Sequence, residues 1–335
     1  MKNLNKSDSF EKLFYYTNEK SSFKSLKTHI DDISIIAPLA YNVDADGIVW
    51  GRVDTRVINL ANDNKTTVMP IIHNPGFEQE MLTILLDNKI ARMRVIESLL
   101  DECKKYNYFG IQFDFENLHI NSRDNFTNFC IETSEAFHTA GFKFSIAVVP
   151  CYEKFPGPTK YFKWLYKNWR GGYDYKALGE IADFISVMTY AQHTKRTPPG
   201  PIAGIPWVVK NIQFIINEIP PEKLSLGIPV ISQHWSTVQD DEKYLANARS
   251  WSKELKYSNA ISIVEQYDAE IKWHEDQKVS FTFFENDGLF EYIFFEERRS
   301  FQHKLDLVKK FRLIGFSAWA IGYEDPKIWE LLKYV

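Results

Sequence analysis

Eight short apolar runs, separated by segments of helical periodicity, recur along the whole chain, and this alternation limits the fold most. They are residues 12–18, 33–41, 67–74, 108–117, 143–150, 184–191, 224–231 and 315–322. Strand-length runs alternating with helix-length segments point to an α/β fold, with parallel strands joined by helical crossovers. Eight is the number that a closed (β/α)8 TIM barrel needs, and 335 residues suit one such barrel. Residues 1–335 are therefore read as a single barrel domain. Between the runs, 89–105 is a helix with Ile90, Met93, Ile96, Leu100 and Cys103 as its apolar stripe. Phe126, Phe129, Thr133 and Phe137 form another, stopped by Gly141. A helix over 207–218 and a stripe of Phe301, Leu305, Val308 and Phe311 follow.

Residues 257–299 break the pattern. Two aromatic-rich strands, 280–284 and 290–295, flank Asn286-Asp287-Gly288, a hairpin signal. This segment reads as a small α+β insertion between strands seven and eight. Asp44-Ala-Asp46-Gly47 mimics the start of a calcium loop, but the downstream ligand spacing is absent, so a turn is expected.

Composition narrows the partners. The net charge is −4 with no basic block, which argues against nucleic acid or an anionic membrane surface. No stretch approaches the roughly 18 apolar residues of a membrane span. Cys103, Cys130 and Cys151 are odd in number and lack metal spacing; the first two are expected as buried thiols in helices. The histidines show no metal spacing either, and no cofactor is expected. The opening MKNLNKSDSFEK has no apolar signal segment.

The fourth run carries the chemistry. It reads YFGIQFDFEN. Side chains alternate faces along a strand, so Ile111, Phe113 and Phe115 share an apolar face that packs outward on helices. Gln112, Asp114 and Glu116 share the inward face. Glu116 falls at the C-terminal strand end, where barrel enzymes place catalytic groups, with Asp114 one inward step below. Buried carboxylates are costly unless paired or used, so the pair is a candidate site. Met188 and Tyr190 point into the barrel mouth by the same parity. A Pro/Gly-rich rim loop, 197–206, follows them.

Residues 109–116 resemble the strand motif Asp-Gly-x-Asp-x-Asp-x-Glu of glycoside hydrolase family 18, the chitinases and related N-acetylglucosaminidases. Gly110, Asp114 and Glu116 match; Phe109 and Gln112 depart. The amide at Gln112 is similar to the branch with bacterial and spore-cortex enzymes, where Asn is usual. MTYAQH at 188–193 resembles the sixth-strand Met-x-Tyr motif. PPGPIAGIPWV, PPEKLSLGIPV and SAWAIGYEDPKIW are similar to that branch's rim loop, seventh strand and last strand.

The resemblance implies a retaining glycosidase that is substrate-assisted, a stated exception to the two-carboxylate scheme. Glu116 would be the general acid and then base. Asp114 would orient the sugar's acetamide, and Tyr190 would hydrogen-bond it. Trp319 would be the apolar floor under the sugar. Tyr15, Asn74, Asn117, Met188 and Gln112 complete the expected substrate site, with Gln112 supporting Asp114 by a hydrogen bond. Ala191 stands where an acidic residue is common, and Gln192 and His193 are candidates to compensate.

The expected partner is a polysaccharide or oligosaccharide containing N-acetylglucosamine, chitin-like or peptidoglycan. The alternative is a non-catalytic, lectin-like barrel, against which retention of Glu116 argues. Such glycans lie outside the cytoplasm, so a secreted or cell-envelope location is inferred from substrate. With no signal segment visible, the chain reads either as cytoplasmic or as a trimmed part of an exported, larger multidomain protein.

Overall fold

The computed structural model describes residues 10–333 except 154–156, 196 and 239–248. Residues 1–9, most of the stretch expected to lack a signal segment, lie outside the described residues.

All eight runs form strands of one parallel sheet: Glu11–Tyr16, Ile35–Val43, Ile71–His73, Gly110–Asp114, Lys143–Val148, Phe184–Val187, Leu224–Pro229 and Gly315–Trp319. They neighbour one another in chain order, and the first also pairs with the last, which closes a (β/α)8 barrel. The outward strand faces pack under the helices. Ile111, Phe113 and Phe115 meet Phe126 and Phe129 there, all at most 1% exposed.

The barrel interior has two halves. Strands one to three contribute Leu13, Tyr15, Ile35, Ala37, Met69 and Ile71, an apolar cluster. Strands five to eight contribute one buried serine each: Ser145, Ser186, Ser225 and Ser317. Ser317 meets Ser186 at 2.8 Å and Ser225 at 2.6 Å.

Local signals set the helix ends. Asn88 caps Lys89–Tyr106 by accepting the Ile90 and Ala91 N–H groups, and Asn107 ends the helix at a left-handed φ of 54°. The expected stripe on this helix needs correction. Ile90 and Met93 are 70% and 47% exposed, and Ala91, Val95, Ile96, Leu99 and Cys103 face the sheet. Spacings of three and four admit both stripes; the buried set keeps its smaller side chains against neighbouring elements. Arg123–Thr139 buries Phe126, Phe129, Thr133 and Phe137 as expected, with Gly141 just past its end at φ 85°. Asp44 makes the expected turn, accepting the N–H groups of Asp46 and Ile48.

Between strands seven and eight lies a five-stranded antiparallel sheet with the helix Tyr257–Gln266. It begins at Ser232, earlier than the expected 257, because Ser232–Val238 and Arg249–Leu255 belong to it. Both strands are polar along much of their length, which hides them in the sequence. Asp287 and Gly288, at φ 51° and 74°, turn the hairpin between Val279–Asn286 and Leu289–Phe295.

Candidate active site

The fourth strand ends at Asp114, and Glu116 follows two residues on, at the C-terminal mouth. Several groups hold this end in place. The Tyr173 hydroxyl donates to the Phe115 carbonyl at 2.7 Å. The Asn74 side chain, fully buried, donates to the Glu116 carbonyl at 2.9 Å and accepts the Glu116 N–H at 3.0 Å.

Both carboxyls are shifted upward. Burial pushes Asp114 up to about 7. Burial, and then the Asp114 charge, push Glu116 up to about 8. Such a pair titrates as a unit, and burial together with the mutual charge keeps a proton on it above the ordinary carboxylate range. Asp114 Oδ1 is buried and has no hydrogen-bond partner among the described residues. A buried acceptor of this kind is unusual in a folded protein and marks a place prepared for a donor.

Aromatic groups surround the pair. Tyr15 is 3% exposed, and its ring centroid lies 5.7 Å from that of Trp319. Burial raises the Tyr15 hydroxyl pKa, the Ser186 hydroxyl lowers it, and the Asp114 charge raises it. Tyr190 is raised by burial and then by the charges of Tyr15, Asp114, Glu116 and Glu254. The structure therefore brings Asp114, Glu116, Tyr15, Tyr190 and Trp319 to one mouth. Met188, 8% exposed, precedes Tyr190 at the end of strand six.

Three residues expected at the substrate site make hydrogen bonds within the protein. Gln112 is fully buried and donates from Nε2 to Ser145 at 2.8 Å and to Ser186 at 3.0 Å. No hydrogen bond joins it to Asp114 among the described residues, because its amide faces the serine layer. Asn74, as above, clamps the Glu116 main chain and is closed to solvent. Asn117, at φ 55°, donates to the Phe77 carbonyl at 3.0 Å and accepts from Gln79 at 3.2 Å, so it fastens two rim loops. Gln192 accepts the Gly204 N–H at 2.7 Å and His193 meets the Pro198 carbonyl at 3.0 Å, so both tie down the rim loop.

Sequence reading missed two features. The serine layer was readable: each of the last four strands carries one serine at inward parity. Glu254, on insertion strand Arg249–Leu255, was not: its charge helps to raise the Tyr190 hydroxyl pKa, and nothing local in the sequence marks that.

A (β/α)8 barrel with a proton-holding carboxyl pair and aromatic walls at its C-terminal mouth has the architecture of a glycoside hydrolase. The chain belongs to glycosyl hydrolases family 18, whose family model matches residues 13–324. It is 26% identical over 325 residues to the glycosylase YvbX of Bacillus subtilis, covering 95% of this chain and 89% of that protein. It is 26% identical over 305 residues to the cortical fragment-lytic enzyme of the same species, covering 90% and 67%. Among solved structures, the spore cortex-lytic enzyme SleL of Bacillus cereus superposes with a TM-score of 0.85 at 22% identity, covering 97% of this chain and 73% of that one. A chitinase of Chromobacterium violaceum gives 0.85 at 22% identity, covering 97% and 98%. The protein is a glycosidase, and no helix among its described residues is long and apolar enough to cross a membrane.

Proposed function

We propose that this glycosidase cleaves β-1,4 bonds at N-acetylglucosamine in chitin-like or peptidoglycan glycans, with retention and with help from the sugar's N-acetyl group. The observation that carries this reading is the carboxyl pair. Burial and the Asp114 charge push the Glu116 pKa up to about 8, and Asp114 offers a buried oxygen without a partner among the described residues.

In the first step Glu116 gives its proton to the glycosidic oxygen as that bond breaks. The acetamide oxygen bonds to the anomeric carbon on the opposite face, forming an oxazolinium ion. Asp114 Oδ1 accepts the acetamide N–H, which orients the group and stabilises its positive charge. The Tyr190 hydroxyl donates to the acetamide oxygen side of the pocket. In the second step Glu116 takes a proton from water, the water oxygen bonds to the anomeric carbon, and the acetamide is restored. Two displacements return the original configuration. Trp319 and Tyr15 form the apolar floor, and Met188 packs beside Tyr190 under the sugar.

Asn74, Asn117 and Gln112 act through the main chain and the barrel interior, holding Glu116 and its loop in place. The whole chain serves as one catalytic barrel. The relatives include a cortical fragment-lytic enzyme, which supports a peptidoglycan substrate and a site of action outside the cytoplasm, in a secreted or envelope protein or a larger multidomain one.

The test is turnover of N-acetylglucosamine oligomers and purified peptidoglycan by wild type beside Glu116→Gln. Cleavage with β-anomeric product, lost at least about a hundredfold in the variant, is expected for removal of a general acid. Binding without cleavage by either protein would sink the hydrolase reading for these glycans.

A further inference from the structure

A helical segment after strand five buries none of its side chains. Thr159 accepts the Phe162 N–H at 3.2 Å and starts Lys160–Leu165, which runs on through the wider π-type turn Tyr166–Arg170. No residue of either stretch is buried. Tyr161, Phe162 and Trp164 are 53%, 39% and 46% exposed. Short helices in water depend on packing for most of their stability, and clustered exposed aromatic rings mark an interaction surface. The segment is tied to the loops beside the carboxyl pair. Gln79 Nε2 donates to the Asn117 carbonyl at 2.9 Å and to the Asn168 carbonyl at 3.4 Å. The Trp169 ring centroid lies 6.0 Å from that of Phe77, edge to face. A glycan that extends from the mouth across this part of the rim meets the helix.

Charge and rings are sorted on this helix. The chain is net acidic at −4, yet residues 157–173 hold Lys160, Lys163, Lys167 and Arg170 and no Asp or Glu. Lys160 and Lys163 lie one turn apart, with Lys167 a further turn on, so they share one side. All three are exposed, and none has a carboxylate partner among the described residues. Tyr161 and Trp164, also one turn apart, form the adjoining side. Their ring centroids are 6.3 Å apart and their planes differ by 20°, which gives a nearly flat aromatic platform.

We propose that this helix is a second binding surface, for an anionic glycan: sugar rings pack on Tyr161 and Trp164 while carboxylates of the polymer pair with Lys160, Lys163 and Lys167. The inference rests on the proposed function and selects peptidoglycan over chitin within it. Chitin-like polymers are uncharged. Peptidoglycan carries carboxylates on the peptides attached to every second sugar. The aromatic side serves either polymer by covering the apolar face of a sugar ring, and the lysine side distinguishes them by charge.

The test is co-sedimentation with peptidoglycan sacculi stripped of other wall polymers, beside chitin particles, in a Glu116→Gln parent so that neither is cut. Adding Lys160→Gln, Lys163→Gln and Lys167→Gln together is expected to weaken sacculus binding by about tenfold, the combined range of three exposed ion pairs, and to leave chitin binding unchanged. Added salt should weaken the parent's binding to sacculi and not to chitin. Tyr161→Ala with Trp164→Ala should weaken binding to both. All these positions are exposed, so each variant should melt with its parent. Parent-level sacculus binding in the lysine variant, or an equal loss on chitin, would overturn the proposal. Parent binding to vesicles of anionic phospholipid but not to sacculi would overturn it too, and assign the surface to a membrane. Absence of any turnover by wild type would instead remove the hydrolase reading, with the sedimentation result still deciding the surface.

Discussion

Asn74 grips the main chain of Glu116 from both sides, donating to its carbonyl and accepting its N–H. The third strand thus sets the position of the proton-bearing residue at the end of the fourth. Asn74→Ala removes both contacts and leaves two main-chain groups unpaired. The expected result is a kcat lower by about ten- to a hundredfold, with KM changed less, because misplacement acts on the reacting geometry. Melting temperature should also fall, since unpaired buried groups cost roughly 1–3 kcal/mol each. An Asn74→Ala enzyme with wild-type kcat would show that Glu116 is positioned by other groups.

The carboxyl pair fixes the pH profile. Glu116 must hold its proton to act as an acid, and its pKa is pushed up to about 8. The kcat/KM profile should therefore fall as pH rises through that region. Part of the upward push is the Asp114 charge. Asp114→Asn removes this part and lowers the Glu116 pKa. Beyond its large loss of activity, this variant should show its alkaline limb displaced to lower pH. A limb that stays in place would assign the shift to burial alone.

The barrel was legible because its signals are short-range. Each strand is a compact apolar run, and Asp114 and Glu116 sit in one run with the right parity. The Asn286-Asp287-Gly288 hairpin and the Gly141 stop depend on local backbone preference and were equally visible. Other features depend on distant partners. Asn74 reads as a polar strand end, and only the neighbouring strand reveals that it holds Glu116. Gln112 reads as a companion of Asp114, yet its amide is taken by Ser145 and Ser186. Ile90 and Met93 fit an amphipathic stripe but lie outside it, since helical spacing alone does not choose between adjacent stripes.

The buried serine layer makes a separate prediction. Gln112→Met keeps approximate size and removes the donor to Ser145 and Ser186. Their hydroxyls stay paired with one another only in part, because Ser186 meets Ser317 while Ser145 depended on Gln112. Stability should fall by about 1–3 kcal/mol, read by denaturant unfolding. Activity of the folded fraction should fall much less, since the amide does not touch Asp114. Loss of kcat with unchanged stability would mean that Gln112 serves the carboxyl pair directly.

Glu11 tests burial far from the chemistry. It shares inward parity with Leu13 and Tyr15 on the first strand, and its Oε1 is buried with no hydrogen-bond partner among the described residues. Burial pushes its pKa from 4.5 up to about 8. Between those values the folded chain holds a proton that the unfolded chain has released. Stability from this group is thus fully present below the unfolded pKa and is lost as pH rises through the folded one. Glu11→Gln cannot titrate and lacks this slope. The melting temperature of the variant should exceed that of wild type by a margin that widens from pH 5 to pH 8 and then levels, on the order of the window set by the two pKa values. Glu116 and Asp114 titrate in the same range, but they are present in both proteins and cancel in the difference. A constant margin across this range would show that Glu11 ionises in the folded barrel as it does in water.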